Sequence, residues 1–150
     1  MFKTLLVPVD GSAHAQKALG VAAELARSGG ATLHLINVTE SVPDSIGILV
    51  GGSTEPMSEA EREKLAEGVR KAAQQVIDRA KSAVDLAGLE VKELLRQGRP
   101  GERIIEAAEE LGADAIVMGS RGMSDLRGMV VGSVSHRVSH TAGCTVITVT

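Results

Sequence analysis

The sequence predicts an α/β protein: a single doubly wound five-stranded parallel sheet, strand order 3-2-1-4-5, with helices on both faces. Three observations carry that expectation. Short apolar runs rich in β-formers alternate strictly with longer segments of helical periodicity, the order of right-handed parallel crossovers. Most of the runs are apolar throughout, as in strands covered on both faces. Glycine, proline and capping residues punctuate the junctions between them. At 150 residues the chain suits one domain, 1–150, with a sizeable single core.

Lys3 to Val9 (KTLLVPV) reads as the first strand, with Pro8 near its end. Asp10-Gly11-Ser12 breaks it, and Ser12 is placed to N-cap a helix. In that helix Ala15, Ala18, Leu19, Ala22, Leu25 and Ala26 recur at helical spacing up to Ser28-Gly29-Gly30. Its face is mainly alanine, so it is expected to lie close against the sheet. Ala31 to Val38 (ATLHLINV) is the second strand. Thr39 to Met57 reads as a long mobile or ligand-covering loop, with Pro43, Pro56, Gly51-Gly52 and an apolar patch from Ile46 to Val50.

Ser58-Glu59-Ala60-Glu61 is a capping box. Behind it Leu65, Val69, Ala72, Ala73, Val76, Ile77, Ala80 and Val84 predict a long amphipathic helix ending at Gly88. Leu89 to Arg96 (LEVKELLR) alternates as a third, more exposed strand. Arg99-Pro100-Gly101-Glu102 opens a helix that buries Ile104, Ile105, Ala108 and Leu111 before Gly112. Ala113 to Met118 is the fourth strand, a helix around Val134 to Thr141 follows, and Thr145 to Thr150 closes the order.

Composition removes several functions. A net charge of −3 argues against a nucleic-acid binder, whose affinity comes largely from basic side chains on phosphates. With Phe2 as the one aromatic residue besides histidine, there is no platform for stacked bases. A single cysteine, Cys144, suits a reducing compartment, and no signal-peptide pattern or apolar run of the ~18 residues needed for a membrane span is present. The expectation is a cytoplasmic protein.

One stretch carries chemistry. Gly119 to Ser135 (GSRGMSDLRGMVVGSVS) joins the fourth strand to the last helix through a glycine-rich turn. Such a turn lets backbone N–H groups approach an anion, and a helix N-terminus adds to its field. In the expected strand order this turn faces Asp10-Gly11-Ser12 across the point where the winding reverses, the usual place for a ligand.

The spacing Gly119-x-x-Gly122, nine residues, Gly132-Ser133 resembles the G-2x-G-9x-G-[S/T] pattern of the ATP-binding branch of the universal stress protein family. LLVPVDGS at 5 to 12 and GADAIVMGSRG at 112 to 122 are similar to that family as well, so the likeness covers the whole chain. It implies an adenine nucleotide alpha hydrolase-like, Rossmann-like fold that binds ATP, with Mg²⁺ helping to neutralise the phosphates. Asp10 would lie near the adenosine and metal side. Val38 would meet the adenine edge through its backbone. Gly119 and Gly122 would approach the ribose and phosphates, and Gly132, Ser133 and Ser135 would supply amides and hydroxyls to phosphate. Arg121 and Arg127 are the cationic candidates, and the neighbours Pro8, Val9, Ser12, Met118 and Val134 complete the set.

The resemblance also implies a homodimer paired through strand 145–150 and a nucleotide-dependent role in the stress response, toward a protein partner that the sequence does not identify. Residues Thr145, Thr148 and Thr150 make that strand more polar than in many relatives, which carry prolines around this cysteine. No Walker A, G-x-S-x-G or paired-carboxylate pattern points to catalysis. A slow ATPase or phosphotransfer enzyme is the alternative, with Ser124 and Asp125 as candidates to orient water, and a nucleotide-independent interaction module is a third reading. His136 and His140 stand four apart without a third ligand and read as structural or solvent-facing; Cys144 reads as a small buried hydrophobe.

Overall fold

The computed structural model describes residues 1–41, 57–122 and 131–150. Its elements are β1 (Thr4–Pro8), α1 (Ala13–Gly29), β2 (Thr32–Thr39), α2 (Glu59–Ala83), β3 (Val91–Gln97), α3 (Pro100–Leu111), β4 (Ala115–Gly119), α4 (Ser133–Thr141) and β5 (Thr145–Val149). The strands form one parallel sheet in the order β3-β2-β1-β4-β5, as the alternation predicts.

The strand period of two divides the core between the faces. Leu5, Val7, Leu33, Leu35, Ala115 and Val117 meet Ala18, Leu19, Ala22 and Ala26 of α1 and Ile77 of α2. Leu6, Ile36, Ile116 and Met118 meet Ile104, Ala107 and Ala108 of α3 and Val138 of α4. Leu5, Leu6, Leu33 and Leu35 are fully buried, each contributing about 1.5–3 kcal/mol of transfer free energy. The alanine ridge of α1 is the face that it buries against the sheet.

Local signals set the ends. Ser12 Oγ accepts from Ala15 N–H to begin α1, and Gly30, left-handed at φ 66, ends it with its N–H on Ala26 O. At the opposite edge of the core, Asp114 Oδ2 accepts from the N–H groups of Lys3 at 2.7 Å and Thr4 at 2.9 Å. Those two bonds hold its carboxyl below the usual range and tie the start of β1 to β4.

One expectation needs correction. The capping box Ser58–Glu61 forms, but α2 ends at Ala83 rather than Gly88. Val84 takes an extended backbone, which turns Val84, Leu86 and Leu89 onto the core. Along the apolar stripe of α2, Ala73 and Ile77 alone are buried and Leu65 is 44% exposed. Periodicity reports which side of a helix is apolar; the length of that side the sheet covers depends on where β2 and β3 end. The loop expected over 39–57 lies, from 42 to 56, outside the described residues.

Candidate functional site

Beyond the carboxyl ends of β1 and β4 the chain leaves the sheet on opposite sides, opening a crevice at the reversal of strand order. The turn after β1 is fixed by its own polar groups. Asp10 Oδ1 accepts from Ser12 N–H at 2.9 Å, an Asx turn that Gly11 permits at φ 88. From behind, Val9 N–H reaches Ile36 O at 2.9 Å and buried Asn37 donates from Nδ2 to Val9 O at 2.8 Å. Asp10 therefore begins from a backbone held by β2 and by the cap of α1.

The turn after β4 is equally tied. Ser120 N–H donates to Val149 O, and Ser120 O accepts from Gly132 N–H at 2.6 Å and from Ser135 Oγ at 2.7 Å. Ser135 Oγ also lies 3.0 Å from Gly132 O. The buried Ser135 hydroxyl and the Gly132 amide thus dock the start of α4 against the end of β4. Gly119 is used for proximity, because a Cβ there would stand 2.7 Å from His14 Cβ, 2.8 Å from His14 C and 2.9 Å from Ala15 N. Glycine lets the N-terminus of α1 rest directly on the end of β4.

Val38 occupies a particular register. Leu33 N–H bonds to Glu90 O and Thr39 O accepts from Gly98 N–H, so odd positions of β2 turn to β3; Thr32 N–H bonds to Lys3 O and Ile36 O accepts from Val9 N–H, so even positions turn to β1. By that alternation the peptide groups of Val38 face the β1 side, at the level where β1 turns away into Asp10. Val38 itself is part of the crevice lining.

The crevice has a volume of about 220 Å³. Pro8, Val9, Val38, Met118 and Val134 belong to its apolar lining, and Asp10, Gly119, Arg121, Gly122 and Ser135 line it as well. All ten are residues that the sequence picks out. Ser12, Gly132 and Ser133 stand behind this lining, as the α1 cap, the N-cap of α4 and the first, exposed residue of α4. Arg127 lies outside the described residues, as do Ser124 and Asp125.

Sequence reasoning misses Ala15, Ile36, Glu40, Pro100 and Ile104, which also line the crevice. It misses His14 as well, whose Nε2 lies 3.2 Å from an Arg121 terminal nitrogen. Pro100 opens α3 on the same side as the end of β2, a proximity readable only once the strand order is known. The α4 N-terminus has no side-chain cap and no acidic residue in its first turn, so its leading N–H groups and the positive end of its dipole favour an anion.

His136 and His140 are exposed and stacked, ring centroids 4.2 Å apart, with His140 Nδ1 2.9 Å from His136 O. Among the described residues, no three His, Cys, Asp or Glu side chains gather as a metal site. Cys144 packs against the α3–α4 core, and burial pushes its thiol up, away from the reactive thiolate. No helix of the described residues is long and apolar enough to cross a membrane.

Sheet order, layers and crevice define a doubly wound α/β protein with an anion-favouring helix end at its switch point. More narrowly, the chain belongs to the universal stress protein family, whose model matches residues 1–150. It is 39% identical over 150 residues to the universal stress protein in the QAH/OAS sulfhydrylase 3′ region of Thermus aquaticus, covering 99% of both proteins. Among solved structures, the hypothetical protein MJ0577 of Methanocaldococcus jannaschii superposes with a TM-score of 0.72 at 27% identity, over 99% of this chain and 96% of that one. A universal stress protein from Archaeoglobus fulgidus in complex with dAMP gives 0.63 at 25% identity, over 100% of this chain and 98% of that one.

Proposed function

We propose that this protein binds ATP in the crevice between the β1 and β4 turns and acts as a nucleotide-dependent regulator or sensor in the stress response. The observation that carries the reading is the uncapped N-terminus of α4, whose Val134 and Ser135 line one crevice together with Pro8, Val9, Val38 and Met118. An adenine ring needs an apolar slot with a few hydrogen-bonding groups; phosphates need N–H groups and positive potential. The dAMP complex of the Archaeoglobus fulgidus relative supports an adenine nucleotide as the ligand.

In this reading Val38 addresses the adenine, and Pro8, Val9 and Met118 pack about the adenosine. The Gly119–Gly122 turn, Arg121, Arg127 and the amides of Gly132, Ser133 and Val134 attend the phosphates, with Ser135 and Ser12 holding the two helix starts. Asp10 fits a Mg²⁺ ion, since magnesium takes one or two carboxylates and fills its sphere with phosphate oxygens and water. The edge strand β5, with Val146, Ile147 and Val149 partly buried, is where a second copy would pair, and the cytoplasm is the proposed location.

The test uses the absence of Trp and Tyr, which leaves a co-purified adenine nucleotide to dominate the ultraviolet spectrum near 260 nm. Titration calorimetry with Mg-ATP on the stripped protein should show one site per chain. Ser133→Asp places a carboxylate at an exposed position of the α4 first turn, which favours the helix while repelling phosphate. It should retain the melting temperature and weaken ATP by at least tenfold. Wild-type protein that binds no adenine nucleotide refutes the reading.

A further inference from the structure

His14 stands beside Arg121 of the crevice lining, and nothing in the nucleotide-binding pattern assigns it a part. It stands in the first turn of α1, half-buried, with its Cβ pressed against the Gly119 backbone so closely that a side chain at 119 would collide with it. Its Nε2 lies 3.2 Å from Arg121 Nη2, and its Nδ1 lies 3.5 Å from Ser120 Oγ. Arginine stays protonated and carries only donors, so this pairing requires His14 Nε2 to be the acceptor. The ring proton then belongs on Nδ1, the side of Ser120.

We propose that His14 is a positioning residue of the crevice, a neutral acceptor that holds the Arg121 guanidinium at the rim, where it meets the phosphates of a bound nucleotide. The proposal rests on the nucleotide-binding reading and adds to it a residue and a cause. A carboxylate in the place of His14 would hold the guanidinium equally well but cancel its charge toward an anion. An imidazole holds it and leaves that charge available. The hold is rigid because α1, β4 and the Ser120 turn are mutually fixed through Gly119 and through the bonds of Ser120 to β5 and α4. Arg121 is a long, flexible side chain, and fixing it beforehand removes an ordering cost from binding.

The experiment compares ATP with adenosine, by calorimetry at one ionic strength, in wild type, His14→Ala and His14→Gln, with thermal melts as a control on folding. His14→Ala should weaken ATP by about tenfold, the scale of one charge-assisted hydrogen bond, and leave adenosine within twofold. His14→Gln, whose side-chain oxygen can accept from Arg121, should recover most of the ATP affinity. An unchanged ATP affinity in His14→Ala, or an equal loss for adenosine and ATP, overturns the proposal while leaving the nucleotide reading intact. A wild-type protein that binds neither ligand overturns both. Independently of any nucleotide, two-bond ¹H–¹⁵N spectra should show His14 as the Nδ1–H tautomer, reverting in Arg121→Met. A wild-type His14 protonated at Nε2 overturns the contact itself.

Discussion

Gly119→Ala is the substitution whose cost can be worked most directly from the structure. The added Cβ would meet His14 Cβ at 2.7 Å, His14 C at 2.8 Å and Ala15 N at 2.9 Å. Comfortable carbon contacts begin near 3.5 Å, so the first turn of α1 must retreat by roughly 0.8 Å. Two of the three atoms are backbone, which no rotamer change can move. Overpacking of this kind costs about 1–3 kcal/mol, and the upper half applies where a helix has to move. Gly119 lacks a positive φ, so alanine gains ~0.4–1 kcal/mol from the stiffer unfolded chain.

The net expectation is about 1–2.5 kcal/mol of destabilisation, a fall in Tm of roughly 2–10 °C for a chain of this size. Gly101→Ala is the control: its Cβ would meet Arg137 Cδ at 2.9 Å, the middle of an exposed, flexible side chain. That arginine can move, and helix propensity favours alanine by up to ~1 kcal/mol, so Gly101→Ala should be neutral or mildly stabilising. Urea unfolding followed by far-ultraviolet circular dichroism measures both. A Gly119→Ala protein as stable as wild type, or a Gly101→Ala protein equally destabilised, refutes the reasoning.

Asn37→Leu removes the donor to Val9 O and leaves a carbonyl without its partner beneath the Asp10 turn; urea midpoints should show a loss of about 1–3 kcal/mol. An unchanged midpoint would mean that water replaces the amide there. His34 has its pKa lowered first by burial and then by Lys92, against a smaller opposing pull from Glu90. The unfolded chain takes up a proton near pH 6.5 that the folded protein resists, so this contribution to stability is complete above that pH and is lost as pH falls through it toward the folded value. Between pH 7.5 and 5.5 the urea midpoint of wild type should therefore fall more than that of His34→Leu, and parallel curves would exclude the effect.

Much of this protein is legible in its sequence. The apolar runs, the cap at Ser12, the capping box at Ser58 and Pro100 at the start of α3 fix the nine elements of the described residues in order, because each signal acts within a few residues of itself. The glycine spacing likewise marks the crevice, since a backbone that must lie close to another group excludes side chains wherever the group comes from. What Gly119 makes room for is not legible. The family resemblance implies ribose and phosphate, and the structure adds the first turn of α1, 105 positions earlier.

Only tertiary structure could bring His14 to Arg121, Asn37 to Val9, and Pro100 and Ile104 to the crevice that Asp10 also lines. Each pairing joins residues whose separation along the chain is set by intervening crossovers. The same holds for α2, whose apolar stripe is visible in its spacing while the length of it that is buried is not. Local periodicity determined which residues turn inward. The order and ends of the strands decided what they meet there, because a side chain's neighbours in a parallel sheet come from other strands and helices and not from its own segment.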